Sequence, residues 1–171
     1  MKAIVRTCWE ICLLRKGPQA FPHSWSLFVI MLAAYLVTDG ILFVAQGLRG
    51  IDIVTEILCD TALQLVFFIL VLGIWRKLTR FNQTAIALLG TGSIIMLAAV
   101  PLSFAATLLP ASAVVDVAQV LLYGILAWSI LVMGYIVRHA LDTGLTIGIV
   151  IAGTYTMLNL VLFAVFSPIK S

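Results

Sequence analysis

The chain has 171 residues, 63% of them hydrophobic and 10% charged, with a formal net charge of +3. A soluble domain averages about 45–50% apolar and about 25% charged residues, so that class is excluded. Disorder is excluded too, because it needs low hydrophobicity and high charge. The mean hydropathy of +1.20 calls for reading the chain in membrane spans, at about 20 apolar residues each.

Residues 1–16 do not read as a cleavable signal, because Arg6 and Glu10 interrupt the apolar stretch. They read as an amphipathic helix lying in the membrane interface. Ile4, Val5, Cys8, Ile11 and Cys12 fall at helical spacing, Lys2, Arg6 and Glu10 repeat on another side, and Trp9 suits interfacial depth. Residues 17–24, with Gly17, Pro18 and Pro22, are turn chemistry, and Ser24 is placed to cap the next helix.

Five apolar runs follow, at about 25–45, 54–74, 84–106, 114–137 and 145–166, each long enough to cross with some tilt. None alternates as a barrel strand does. Pro101 is expected to kink the third. Asp39-Gly40 in the first leaves two expectations open, a broken helix or a continuous one with a packing glycine. The expected architecture is all-α: one polytopic transmembrane domain over 1–171, five membrane helices preceded by the amphipathic one, with no soluble domain in the short loops.

Basic residues set the orientation. Lys2, Arg6, Arg15, Lys16, Arg76, Lys77, Arg80 and Arg138 fall on one side, Arg49 and Lys170 on the other. The positive-inside rule then puts the amino terminus in the cytoplasm and the carboxyl terminus outside, periplasmic in a bacterial inner membrane. Bases dispersed in this way do not form a nucleic-acid surface; membrane lipid is the expected partner. Trp75 to Phe81 reads as a positive-inside anchor, or as a site for anionic lipid headgroups.

Asp39, Glu56, Asp60 and Asp116 lie within the apolar runs. An Asp at a helix centre costs about 2.5–3.5 kcal/mol on insertion scales. Counted at 1.5 Å per residue, Asp39, Asp60 and Asn159 all lie about 9 Å below the outer edge of a core about 30 Å thick, and Glu56 and Asp116 about 3 Å below it. The helical faces group them further: Asp52, Glu56, Asp60 and Gln64 at i+4; Tyr35 with Asp39, then Gln46; Asp116, Gln119 and Tyr123; Tyr155 with Asn159. A polar cavity opening outward follows, with Asp39, Glu56, Asp60, Asp116, Asn159, Tyr35, Gln64 and Gln119 as its cluster. Arg49 is the only base near it.

That cluster has three readings: a site for a cation or proton, a structural lock, or contact with a partner subunit. An acid dyad of Asp39 and Asp60 in an intramembrane enzyme is a further alternative. Gly144, Gly148 and Ala152 repeat at i+4 and mark close helix packing, within the bundle or in a homo-oligomer. Catalytic motifs and phosphate loops are absent. No cofactor or metal is expected: Cys8 and Cys12 make two thiols, not a zinc set, and His23 and His139 sit on different loops.

The stretch Leu13 to Ser24, with its Arg-x-x-Pro-Gln-x-x-Pro-x-Ser pattern, resembles the opening of a group of small proteobacterial inner-membrane proteins. The resemblance implies a bacterial inner membrane and carries no activity. The five-span layout is similar to the topology of the Yip1 family, whose members partner small GTPases. The Asp-Leu-Tyr-Gly-Pro motif of that family is absent, so the GTPase role is not carried over. Two functions are expected from the sequence: a non-enzymatic accessory or assembly subunit packing on other membrane proteins or itself, and a small transporter or channel subunit handling a cation or proton.

Overall fold

A computed structural model describes residues 2–109 and 113–166. Among these residues are six α-helices: α1 (Lys2–Cys12), α2 (Trp25–Ala45), α3 (Ile51–Ile74), α4 (Phe81–Leu108), α5 (Ala113–Leu141) and α6 (Leu145–Phe166). The last five are long and apolar enough to cross a membrane. The runs expected at 25–45 and 145–166 coincide with α2 and α6, while α3, α4 and α5 are longer than expected. Helix α5 continues to Leu141 because Arg138 and His139 in its last turn favour the negative end of the helix dipole. Ser24 caps α2, its side chain accepting from Leu27 N at 3.3 Å.

The connections are short, so α2, α4 and α6 start at the end that carries α1, and α3 and α5 start at the opposite end. Helix α4 is the axle of the bundle. It packs against α2 on one side and α5 on another, with α1 laid across it, while α6 joins α5 to α3. Thr84 to Thr91 are buried without a break. Their hydroxyls bond back to the preceding turn, Thr84 to Arg80 O and Thr91 to Ala87 O, so burial leaves them satisfied. The outside is apolar: Val37, Leu58, Val66, Leu70 and Val150 are exposed, as lipid-facing residues are.

Helix α2 is continuous through Asp39-Gly40, and α4 runs through Pro101. A Cβ at Gly40 would fall 3.3 Å from Ile57 Cδ1, so the glycine serves the approach of α3.

Of the stripe Gly144, Gly148 and Ala152, two members are packed. A Cβ on Gly148 would meet Gly134 O at 2.2 Å, and one on Gly134 would meet Ile149 N at 2.9 Å. Ala152 is fully buried. Gly144 has nothing within 4 Å of its Cβ position and is a correction to the expected packing role. It precedes the first residue of α6 and lies clear of the crossing. The contact is between α5 and α6 of one chain, and Gly134, which belongs to no small-residue stripe, is the other half of it.

Helix α1 also differs from expectation. Cys8, Ile11 and Cys12 are buried, and a Cβ at Gly90 of α4 would fall 2.7 Å from Cys8 Sγ. This face packs on protein, while Val5, Trp9 and Leu13 form a second apolar stripe that stays exposed. Amphipathic spacing separates apolar from polar positions and does not separate protein-facing from lipid-facing ones. Burial pushes both the Cys8 and Cys12 thiols up to about 11. At neutral pH neither thiol is expected to take N-ethylmaleimide in the folded protein, whereas both react after denaturation; mass spectrometry of the adducts checks this.

The Pro-Gln stretch is a strap. Pro18 and Phe21 are buried, Gln19 Nε2 donates to His139 O at 2.9 Å, and Gln83 Nε2 donates to Phe21 O at 2.7 Å. Beside it, Arg80 Nη1 donates to Asp142 Oδ1 at 2.8 Å and Lys77 Nζ to Asp142 Oδ2 at 2.7 Å. The α3–α4 connection is thereby clipped to the α5–α6 connection. Hydrogen bonds from Arg80 and Lys77 hold the Asp142 carboxyl down at about 2, below its ordinary 3.8. A carboxyl whose folded value is depressed stabilises the fold above its unfolded value and loses that contribution as pH falls through the folded one. Between about pH 4 and pH 2, the wild type should lose more thermal stability than Asp142→Asn, as followed by circular dichroism in detergent.

Candidate intramembrane cavity

A cavity of about 360 Å³ sits among α2 to α6. It runs from Leu88 and Thr91 of α4 to Gln46, the C-terminal cap of α2. Along α2 that is Tyr35 to Gln46, about 16 Å of helix. Below it the bundle is filled by Phe68, Leu72, Ile86, Leu89, Ile136 and Val137, all buried. The cavity therefore serves the end of the bundle opposite α1 and does not reach Arg76.

Its wall has one polar knot. Asp60 of α3 takes Tyr35 OH of α2 on Oδ2 at 2.6 Å and Tyr155 OH of α6 on Oδ1 at 3.1 Å. Asn159 Nδ2 of α6 also donates to Oδ1. Three donors from two other helices converge on one carboxyl, and both of its oxygens are engaged. The Tyr35 ring is set by α4, where a Cβ at Gly92 would come within 2.9 Å of Tyr35 Cε2. The Tyr155 ring lies 5.6 Å from each of Phe67 and Phe68. These contacts aim both hydroxyls at Asp60.

Asp39 is different. It also lines the cavity, is 2% exposed, and its Oδ2 is buried with no hydrogen-bond partner among the described residues. Gln64, one turn beyond Asp60 on α3, shares this condition: it lines the cavity, is 3% exposed, and its Oε1 is unpartnered. A buried acceptor left without a donor costs about 1–3 kcal/mol, so two of them on one cavity call for an explanation.

Of the polar residues singled out in the sequence, Tyr35, Asp39, Asp60, Gln64 and Asn159 all line this cavity. Glu56 is buried, one turn from Asp60, but is not part of the cavity wall. Asp116 and Gln119 are corrections: both are exposed on α5, and Tyr123 with them. The inward face of α5 is instead the row through Ala118, Ser129, Val132 and Ile136. At 100° per residue, Asp116 points about 160° away from Ala118 and Gln119 about 100° away. The i, i+3, i+7 spacing put three polar residues on one face without saying which way that face turns.

Sequence reasoning missed Ser129 and Met133 of α5, Thr91 and Gly92 of α4, and Phe43 and Phe163, whose rings stack 6.3 Å apart. The small residues Ala118 and Ser129, three turns apart, were the available signal for the inward face of α5. Among the described residues no three His, Cys, Asp or Glu side chains form a group able to hold a metal ion. No protein-family model, curated protein or solved structure matches this chain.

Proposed function

We propose that this is a non-enzymatic integral membrane protein that receives a cation or proton at Asp39, as a small transporter or channel subunit does. The observation that carries this reading is the Asp39 carboxyl, buried in the bundle, facing a cavity, with no hydrogen-bond donor to its Oδ2 among the described residues. An intramembrane acid is expensive to place and is retained where it meets a charge or a proton. Catalysis by an Asp39/Asp60 dyad is disfavoured, because both Asp60 oxygens already accept from Tyr35, Tyr155 and Asn159. The bacterial inner membrane and a cytoplasmic amino terminus belong to the same proposal: the uneven sharing of basic residues between the two sides supports the orientation, and the resemblance of Leu13 to Ser24 supports the membrane. The cavity then faces the periplasm.

The test is flux in proteoliposomes, with proton and alkali-cation gradients, for the wild type beside Asp39→Asn. Flux above that of empty liposomes, lost in the variant, supports the reading. Wild-type flux equal to that of empty liposomes, or equal flux in a folded variant, overturns it.

A second reading, an accessory or assembly subunit, draws on α5. Asp116, Gln119 and Tyr123 form a polar stripe on an exposed face of a membrane helix. Membrane helices use such groups to bond across to neighbours. A stoichiometric membrane-protein partner or second copy in native mass spectrometry, lost on Asp116→Leu, supports it; an unchanged monomer in both contradicts it.

A further inference from the structure

Four features of the cavity narrow what it takes. The first is the pair of unpartnered acceptors, Asp39 Oδ2 on α2 and Gln64 Oε1 on α3. Water satisfies them when the cavity is otherwise empty, and a ligand that takes its place has to donate hydrogen bonds. The second is the state of Asp60, whose oxygens are saturated by three donors. Its oxygens are engaged, so Asp39 is the carboxyl that keeps an oxygen free for a ligand to contact. The third is size. About 360 Å³ falls in the range of small-molecule pockets, about 300–1,000 Å³, and far exceeds the roughly 30 Å³ of one water. A bare ion at Asp39 would leave most of this space without a partner. The fourth is the remaining wall, which includes Leu42, Phe43, Met96, Met133, Leu160 and Phe163. Such a wall favours an apolar body, and thioethers and aromatic rings suit a cation carrying one.

We infer that the cavity binds a small lipophilic ammonium ion, primary or secondary, with its charged N–H group on Asp39 and Gln64 and its apolar body against the Phe43–Phe163 side. This rests on the cation-handling reading above and names the class of cation. The Tyr35–Asp60–Tyr155–Asn159 knot is then the rigid wall of the site, and Asp39 its counter-charge. A quaternary ammonium matches the charge and the body but offers no N–H to the two acceptors. A neutral alcohol offers a donor without the charge.

Equilibrium binding to the full chain in nanodiscs tests this, with benzylamine, benzyltrimethylammonium, benzyl alcohol, Na⁺ and K⁺ as probes and empty nanodiscs as the blank. Benzylamine is expected to bind the wild type most tightly, and about 10- to 100-fold more weakly in Asp39→Asn. Gln64→Leu keeps the charge and removes one acceptor; it should weaken benzylamine about fivefold and leave benzyltrimethylammonium unchanged. It carries the test if Asp39→Asn does not fold. Benzyl alcohol or benzyltrimethylammonium binding as tightly as benzylamine overturns the inference, as does equal benzylamine affinity in Gln64→Leu. Asp39-dependent binding of Na⁺, K⁺ or a proton without amine binding overturns it too, but leaves the cation-handling reading standing. No Asp39-dependent binding of any probe removes both.

Discussion

Gly148→Ala is expected to destabilise the protein by about 3 kcal/mol, at the upper end of what overpacking a close contact costs. The added Cβ would lie 2.2 Å from Gly134 O and 3.2 Å from Arg138 N. These are backbone atoms of the facing helix, so relief requires α5 and α6 to separate. Ala152 sits on the same seam and would separate with them. Gly124→Ala is the matched control. It lies within α5 with nothing within 4 Å of its Cβ position, so it should be neutral or gain about 0.5–1 kcal/mol. Denaturant titration in mixed micelles, followed by far-UV circular dichroism, measures both. Equal stability of the two variants would mean that the α5–α6 crossing is looser than described.

The second large effect separates the two buried acids. Asp60→Ala orphans the Tyr35, Tyr155 and Asn159 donors at once and is expected to cost about 2–4 kcal/mol, at about 1–3 kcal/mol for each donor left unsatisfied, reduced because polar partners in membranes are partly replaced. Asp39→Leu removes a carboxyl that has no donor on Oδ2 and should gain about 1–3 kcal/mol instead. The same titration reads both variants. Opposite signs are the expected result. A stable Asp60→Ala would mean that the three hydrogen bonds contribute little. A strongly unstable Asp39→Leu would mean that Asp39 holds the bundle together.

Much of this arrangement was legible in the sequence. The apolar runs and the Ser24 cap gave the bounds of α2, and helical rise alone brought Asp39, Asp60 and Asn159 to one depth. That estimate needed only a topology and a rise per residue. What stayed hidden depends on which helices are neighbours. Asp60 is locked by Tyr155 and Asn159 across an α3–α6 contact between segments far apart in sequence. The shared depth put Asp60 and Asn159 in one cluster without saying that α3 and α6 are neighbours. The rotation of α5 was hidden for a different reason: polar residues at the outer end of a membrane helix sit comfortably at the interface, so Asp116 carries no inward bias. The two apolar faces of α1 looked like one because Cys8, Ile11 and Cys12 on the buried side and Val5, Trp9 and Leu13 on the exposed side are all apolar. Gly90, Gly92 and Gly134 do their packing outside any i+4 stripe, against Cys8, Tyr35 and Ile149 respectively.

Asp39 is the free acid of the cavity, and Asp60 is committed to the fold. Carboxyl labelling separates these two roles. Dicyclohexylcarbodiimide partitions into membranes and adds to accessible protonated carboxyls in apolar surroundings. After treatment of the native protein in lipid, peptide mass spectrometry should find the adduct on Asp39 and none on Asp60. An adduct on Asp60, or none on Asp39, would mean that the two acids do not hold these roles.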